Sequence, residues 1–164
     1  MTRFALVTSA MLALAGCSTV QSVVPMGEAG ADTALLAIEN ARVRTCPPGR
    51  ALENARIGSD NESRGVTSAD IGIVPLASDP TRAVRLRRLT IAPGGVIAWH
   101  AHDRVQGMAL IVSGRLTEFR NTCLDPIRYV AGDVAIEDAN TQHGWRNESD
   151  EEAVVLVAHV APRQ

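Results

Sequence analysis

Eight short β-type runs between residues 84 and 160, separated by turn-forming residues, predict an all-β fold, a small antiparallel sandwich or barrel. The runs are Val84 to Ile91, Val96 to His102, Met108 to Val112, Arg115 to Arg120, Ile127 to Val130, Val134 to Glu137, His143 to Arg146 and Ala153 to Val160. Between them stand Pro93-Gly94-Gly95, Ser113-Gly114, Asp125-Pro126, Ala131-Gly132-Asp133, Asp138-Ala139-Asn140 and the polar stretch Asn147 to Asp150. Gly, Asn, Asp and Pro reverse the chain at little steric cost, so each cluster reads as a tight turn.

The chain has 164 residues, a net charge of −2 and 46% hydrophobic residues, enough for one domain with a real core. All sixteen basic residues are arginine, which excludes Schiff-base chemistry and phosphate loops that need lysine. A near-neutral balance with 3% aromatics supplies neither a basic stripe nor a stacking platform, so nucleic acid is not expected as a partner.

Residues 1–16 carry one charge at Arg3 and an apolar run from Phe4 to Ala15, the pattern of a signal peptide. The run falls short of the roughly 20 apolar residues of a permanent span. Leu14-Ala15-Gly16-Cys17 resembles the bacterial lipobox, which implies lipidation of Cys17 and a membrane anchor. Cleavage as an ordinary signal near Ala15 is the alternative. Ser18 in place of Asp implies, by likeness to Gram-negative sorting, the outer membrane with the domain facing the periplasm. Residues 17–33 are small and polar, as befits a tether.

Residues 34–65 read as an N-terminal extension packing on the domain. Leu35, Leu36 and Ile38 have helix-compatible spacing, Cys46-Pro47-Pro48-Gly49 ends whatever precedes it, and Ala51 to Arg56 fits one or two helical turns. The extension is therefore expected to be a short helical or irregular segment. Asp60 to Gly65 reads as a polar loop and Asp70 to Val74 as a short strand, with the domain proper over 66–164. In an oxidising compartment the economical reading pairs Cys46 with Cys123, two free buried thiols being the alternative.

Histidines mark the chemistry. His100 and His102 are i and i+2 on a predicted strand, so both imidazoles project from one face roughly 6.6 Å apart. Closure of a barrel brings His143 to the same interior, and three neutral imidazoles suit a divalent first-row metal. Trp145 shares the face of His143 and reads as a pocket wall, with a plain core role as the alternative. Along Val84 to Ile91 the apolar parity shifts at Arg88, so either a bulge sits there or Arg88 points inward to meet a substrate carboxylate. Trp99 is assigned to the face opposite the histidines, and His159 reads as structural.

Two segments resemble the motifs of the cupin superfamily. The first has Gly94, five residues, His100-Ala101-His102, and then Gly114 in step. The second has Gly132, five residues, Asp138-Ala139-Asn140, two residues, His143, three residues and Asn147. The resemblance implies a jelly roll, and association of such sheets through their edges makes a homodimer plausible. The first motif's Glu is absent: its position falls on Gln106 or Gly107, leaving Gln106 as the only nearby side-chain oxygen. Asp138 and Asn140 replace a Pro and a Gly, and both are turn formers. A three-histidine centre implies a stronger Lewis acid, holding Fe, Mn, Zn or Ni, and resembles thiol and diketone dioxygenases. The expectation is a cell-envelope metalloprotein acting on a small molecule. A non-catalytic ligand-binding or structural lipoprotein is the alternative.

Overall fold

A computed structural model describes residues 41–46 and 60–163. The signal peptide, Cys17, the tether and the two helical stretches expected before residue 60 lie outside them. The described residues form nine strands and no helix: β1 Arg42–Val43, β2 Arg64–Pro75, β3 Arg82–Ala101, β4 Gln106–Ser113, β5 Arg115–Arg120, β6 Ile127–Val130, β7 Asp133–Glu137, β8 Gln142–Arg146 and β9 Ala153–Pro162. The strand order is β1-β7-β4-β9-β3-β8-β5-β6, with β2 also paired to β3. Every pairing is antiparallel except the short parallel contact of β1 with β7.

β3 organises the molecule. Its first half, Arg82 to Ile91, pairs with β9 on one side and β2 on the other, whereas Val96 to Ala101 pairs with β8. The expected turn at Pro93-Gly94-Gly95 is thus a corner within one 20-residue strand, where β3 changes its partner from β9 to β8. Gly94 has φ 71°, and a Cβ on Gly95 would stand 2.7 Å from the Ala92 carbonyl oxygen, so glycine makes the corner possible. Asn147, the last residue of the second motif, locks it. The Gly94 amide donates to the Asn147 carbonyl, the Asn147 amide donates to the Gly95 carbonyl, and the Asn147 side-chain amide donates to the Ile91 carbonyl.

Ile91, Ala109, Ile111, Leu116, Ile127, Tyr129, Trp145, Val155 and Val157 fill the inside of the curled sheet as one buried cluster. β2 is much longer than the expected strand and takes in Arg64 and Gly65 of the expected loop. Residues 41–46 are fastened by the pairing of β1 with β7, by Arg42 on the buried carboxylate of Asp133, and by a disulfide between Cys46 and Cys123. The bridge closes a separation of 77 residues, a long loop whose closure strongly restricts the unfolded chain. Cys46→Ser is expected to lower unfolding free energy by about 2–5 kcal/mol, measured as a shifted urea midpoint. An unchanged midpoint would mean that the bridge does not restrain the domain.

Candidate metal centre

A bulge aims the histidines. Ile97 pairs with Trp145 and His100 with His143, so three steps on β3 match two on β8. The extra residue switches the pleat. Ile97 and His100 therefore both face the interior, and His102 follows two residues on, just past the strand end. The amide of His102 donates to the Thr141 carbonyl, tying the first motif to the turn of the second. In that turn the Asn140 amide and the Thr141 hydroxyl both donate to Asp138 Oδ1, so Asp138 holds the reversal without the motif's Pro and Gly.

The Nε2 atoms of His100, His102 and His143 lie 2.9 to 3.1 Å from one another. The opposite ring nitrogens fix the tautomers. His100 Nδ1 donates to the Ala98 carbonyl at 2.8 Å and His102 Nδ1 donates to the Val105 carbonyl at 2.8 Å, because a carbonyl oxygen can only accept. His143 Nδ1 donates to Glu118 Oε1 at 2.5 Å. Burial, reinforced by its neighbour His143, pushes the His100 pKa down to about 4, and burial also lowers that of His102. With hydrogen on Nδ1, the three rings turn Nε2 toward one point. Three lone pairs this close repel one another, and a cation relieves the repulsion. Nitrogens about 3 Å apart are also what three imidazoles show when they subtend roughly 90° at a metal about 2.1 Å from each. The residues fit a metal ion.

Glu118, wholly buried on β5, anchors this arrangement. Its Oε1 accepts from His143 and from Arg120 Nε at 2.9 Å, and its Oε2 accepts from the Tyr129 hydroxyl at 2.7 Å. Burial alone would raise its pKa, but the hydrogen bond from His143 and the charge of Arg120 hold it below the usual carboxylate range. Such a carboxylate orients a metal-bound imidazole and strengthens it as a ligand. Sequence reasoning missed Glu118, although its parity with Leu116 on a predicted strand was a signal that it points inward.

The site opens into a cavity of about 370 Å³ inside the curled sheet, lined among others by Leu89, Ile97, Trp99, Val155, Val157, His100 and His102. Trp145 is buried in its wall, its ring centroid 5.4 Å from that of His143. Three expectations are corrected. Arg88 is exposed, because β3 runs against β9 without a register shift and keeps odd-numbered residues inward; the arginine in the cavity wall is Arg87. The irregularity read at Arg88 belongs to β2, between Asp70 and Gly72. Gln106 is exposed on β4 and turned away from the histidines. Trp99 lines the cavity because the bulge alters the local pleat. His159, read as structural, lines the cavity and bonds to Glu137, a buried carboxylate on β7 that carries no hydrophobic-pattern signal because Val134 and Ile136 alternate with it.

Residues 87–159 match the cupin domain family Cupin_2. No curated protein sequence matches the chain. Among solved structures, the chain is similar to a predicted oxalate decarboxylase from Thermotoga maritima at 21% identity and TM-score 0.50, over 68% of this chain and 90% of that one. It is also similar to a cupin-2 domain from Rhodospirillum rubrum at 20% identity and TM-score 0.50, over 74% of this chain and 76% of that one. At these identities the likeness concerns the fold alone: the described strands form a jelly roll like those of the cupin structures, and the family match is confined to residues 87–159.

Replacing Glu118 by Ala would strand Arg120 and the His143 Nδ1 hydrogen in a dry interior. The expected cost is about 3–5 kcal/mol of stability, seen in urea unfolding. Wild-type stability in this variant would mean that the carboxylate is not the anchor of His143.

Proposed function

We propose that the protein is a cell-envelope cupin that binds one divalent transition metal through His100, His102 and His143 and acts on a small carboxylate-bearing molecule, as an oxidoreductase of the dioxygenase type. The observation that carries this reading is the convergence of three Nε2 atoms at 2.9 to 3.1 Å, each ring held from behind by a hydrogen-bond acceptor. A bound first-row ion supplies Lewis acidity and, if redox-active, a site for activating dioxygen.

The chain's own residues supply recognition. Arg87 faces the cavity half-buried, and among the described residues it makes no hydrogen bond or ion pair. Burial and the neighbouring charge of Arg85 depress its pKa, an electrostatic cost that a ligand anion would relieve. Leu89, Ile97, Trp145, Val155 and Val157 present apolar surface for the remainder of a small ligand. Water is excluded on the β8 side by Trp145, packed against Tyr129 with ring centroids 4.9 Å apart.

The envelope location rests on the signal-like residues 1–16, on the lipobox resemblance at Cys17, and on the Cys46–Cys123 bridge, which suits an oxidising compartment. Residues 17–33 would tether the domain to a lipid anchor, with residues 34–65 packing on the domain and 66–164 forming the cupin itself. A homodimer would use β2, an edge strand that leaves Ile71, Ile73 and Val74 more than half exposed.

Protein purified without chelators should contain close to one metal ion per chain by elemental analysis, and His100→Ala should bring the content to background. Equal metal in the two proteins would place any ion elsewhere. With metal loaded, Arg87→Leu is expected to weaken binding of small carboxylates about tenfold or more in calorimetric titration, with metal content unchanged. Identical carboxylate affinity would remove Arg87 from recognition. In a Gram-negative host, Cys17→Ser should release the protein from the membrane fraction, whereas continued co-sedimentation with membranes would contradict the anchor.

A further inference from the structure

We propose that Asp60 and Ser63 are positioning residues for His100: they hold the two backbone amides of the bulge that aims it, and Arg146 fixes Asp60 in place. The inference rests on the metal reading above and adds to it an element from outside residues 87–159, the stretch that matches the family.

The bulge leaves Ala98 and Trp99 together facing Gly144, so their amides have no regular place in the ladder of β3 and β8. Nor is there space on that side for a rearrangement. A Cβ on Gly144 would stand 3.1 Å from the Ile97 carbonyl oxygen and 3.3 Å from the Trp99 amide nitrogen. Amides displaced from a ladder need other acceptors, and residues 60–63 provide them. The Ala98 amide donates to Ser63 Oγ at 2.9 Å, and the Trp99 amide donates to the Asp60 carbonyl at 2.9 Å.

The second bond reaches the metal centre through a single rigid unit. The Trp99 N–H and the Ala98 C=O belong to one trans peptide plane and therefore point in opposite directions. Asp60 holds the N–H side, while the C=O side accepts from His100 Nδ1 at 2.8 Å. Rotation of this plane would break both bonds. The position of Asp60 thus sets the angle of the His100 ring, and with it the direction of Nε2. Hydrogen bonds in such a chain also polarise one another, which makes the Ala98 carbonyl a stronger acceptor.

Asp60 is fixed in turn from β8 and β5. Arg146 Nε donates to Asp60 Oδ2 at 2.8 Å, and the Arg146 guanidinium lies over the Phe119 ring, 4.8 Å from its centroid. That hydrogen bond keeps the Asp60 carboxyl below its ordinary pKa, so the pair is ionic at neutral pH.

Cobalt(II) titration of the full chain separates this inference from the reading it rests on. Competition with a chelator gives affinity, and the visible spectrum reports the geometry of the donors. On charge alone, Asp60→Ala would weaken binding of a cation and Arg146→Met would tighten it. Positioning gives both the same sign: each should bind cobalt(II) about tenfold more weakly, the lower end of what loss of an outer partner costs, with an altered spectrum. The double variant should be no weaker than either single one, because the two residues act through one contact. Wild-type affinity and spectrum in Arg146→Met, opposite signs in the two variants, or losses that add would each overturn the inference while leaving the three-histidine site intact. Absence of cobalt(II) binding in wild type would overturn both. If either variant fails to fold, Ser63→Ala serves instead, since it removes one exposed hydroxyl. An altered spectrum is expected in it, with Ser63→Thr restoring the original, and a wild-type spectrum in Ser63→Ala would overturn the proposal.

Discussion

Three imidazole nitrogens that all present lone pairs within about 3 Å of one another are an electrostatic conflict, and much of the polar architecture maintains it. The Ala98 and Val105 carbonyls and the Glu118 carboxylate take the three Nδ1 hydrogens, so none of the rings can turn its hydrogen inward. Arg120 and Tyr129 in turn hold Glu118. Such an arrangement costs stability while the centre lacks a cation, and it prepares the site for one. Binding free energy then substitutes for the reorganisation that a flexible site would need.

The jelly roll makes this arrangement possible through β3. One strand pairs first with β9 and then with β8 because glycine permits the corner at Gly94 and Gly95, and Asn147 fixes it from β8's end. The bulge before His100 then brings Ile97, His100 and His102 onto one interior face opposite His143. The apolar cluster of Ile91, Ile111, Tyr129 and Val155 fills the part of the interior that the histidines do not. That division leaves a cavity with a charged and polar wall at one side and hydrocarbon at the other, suited to a small ligand with an acidic head.

The eight strands after residue 84 were legible because turn residues punctuate them and because each run is short. The histidine set was legible because its spacing survives in both motifs. What the sequence concealed is contact across strands. Glu137 sits among Val134 and Ile136, and only the pairing of β7 with β4 reveals that it lies beside Gly107. His159 sits in a run apolar on both parities, Ala153 to Ala158, so nothing local gives its face. Arg87 and Arg88 are adjacent, and choosing between them requires knowing which neighbour of β3 carries the bulge. β2 supplies it, so the inward parity of β3 never changes along Arg82 to Ile91.

Anomalous diffraction from crystals grown with a first-row metal tests the central claim directly. A single strong peak is expected about 2.0–2.2 Å from Nε2 of each of His100, His102 and His143. A peak elsewhere, or none among these three nitrogens at saturating metal, would contradict it.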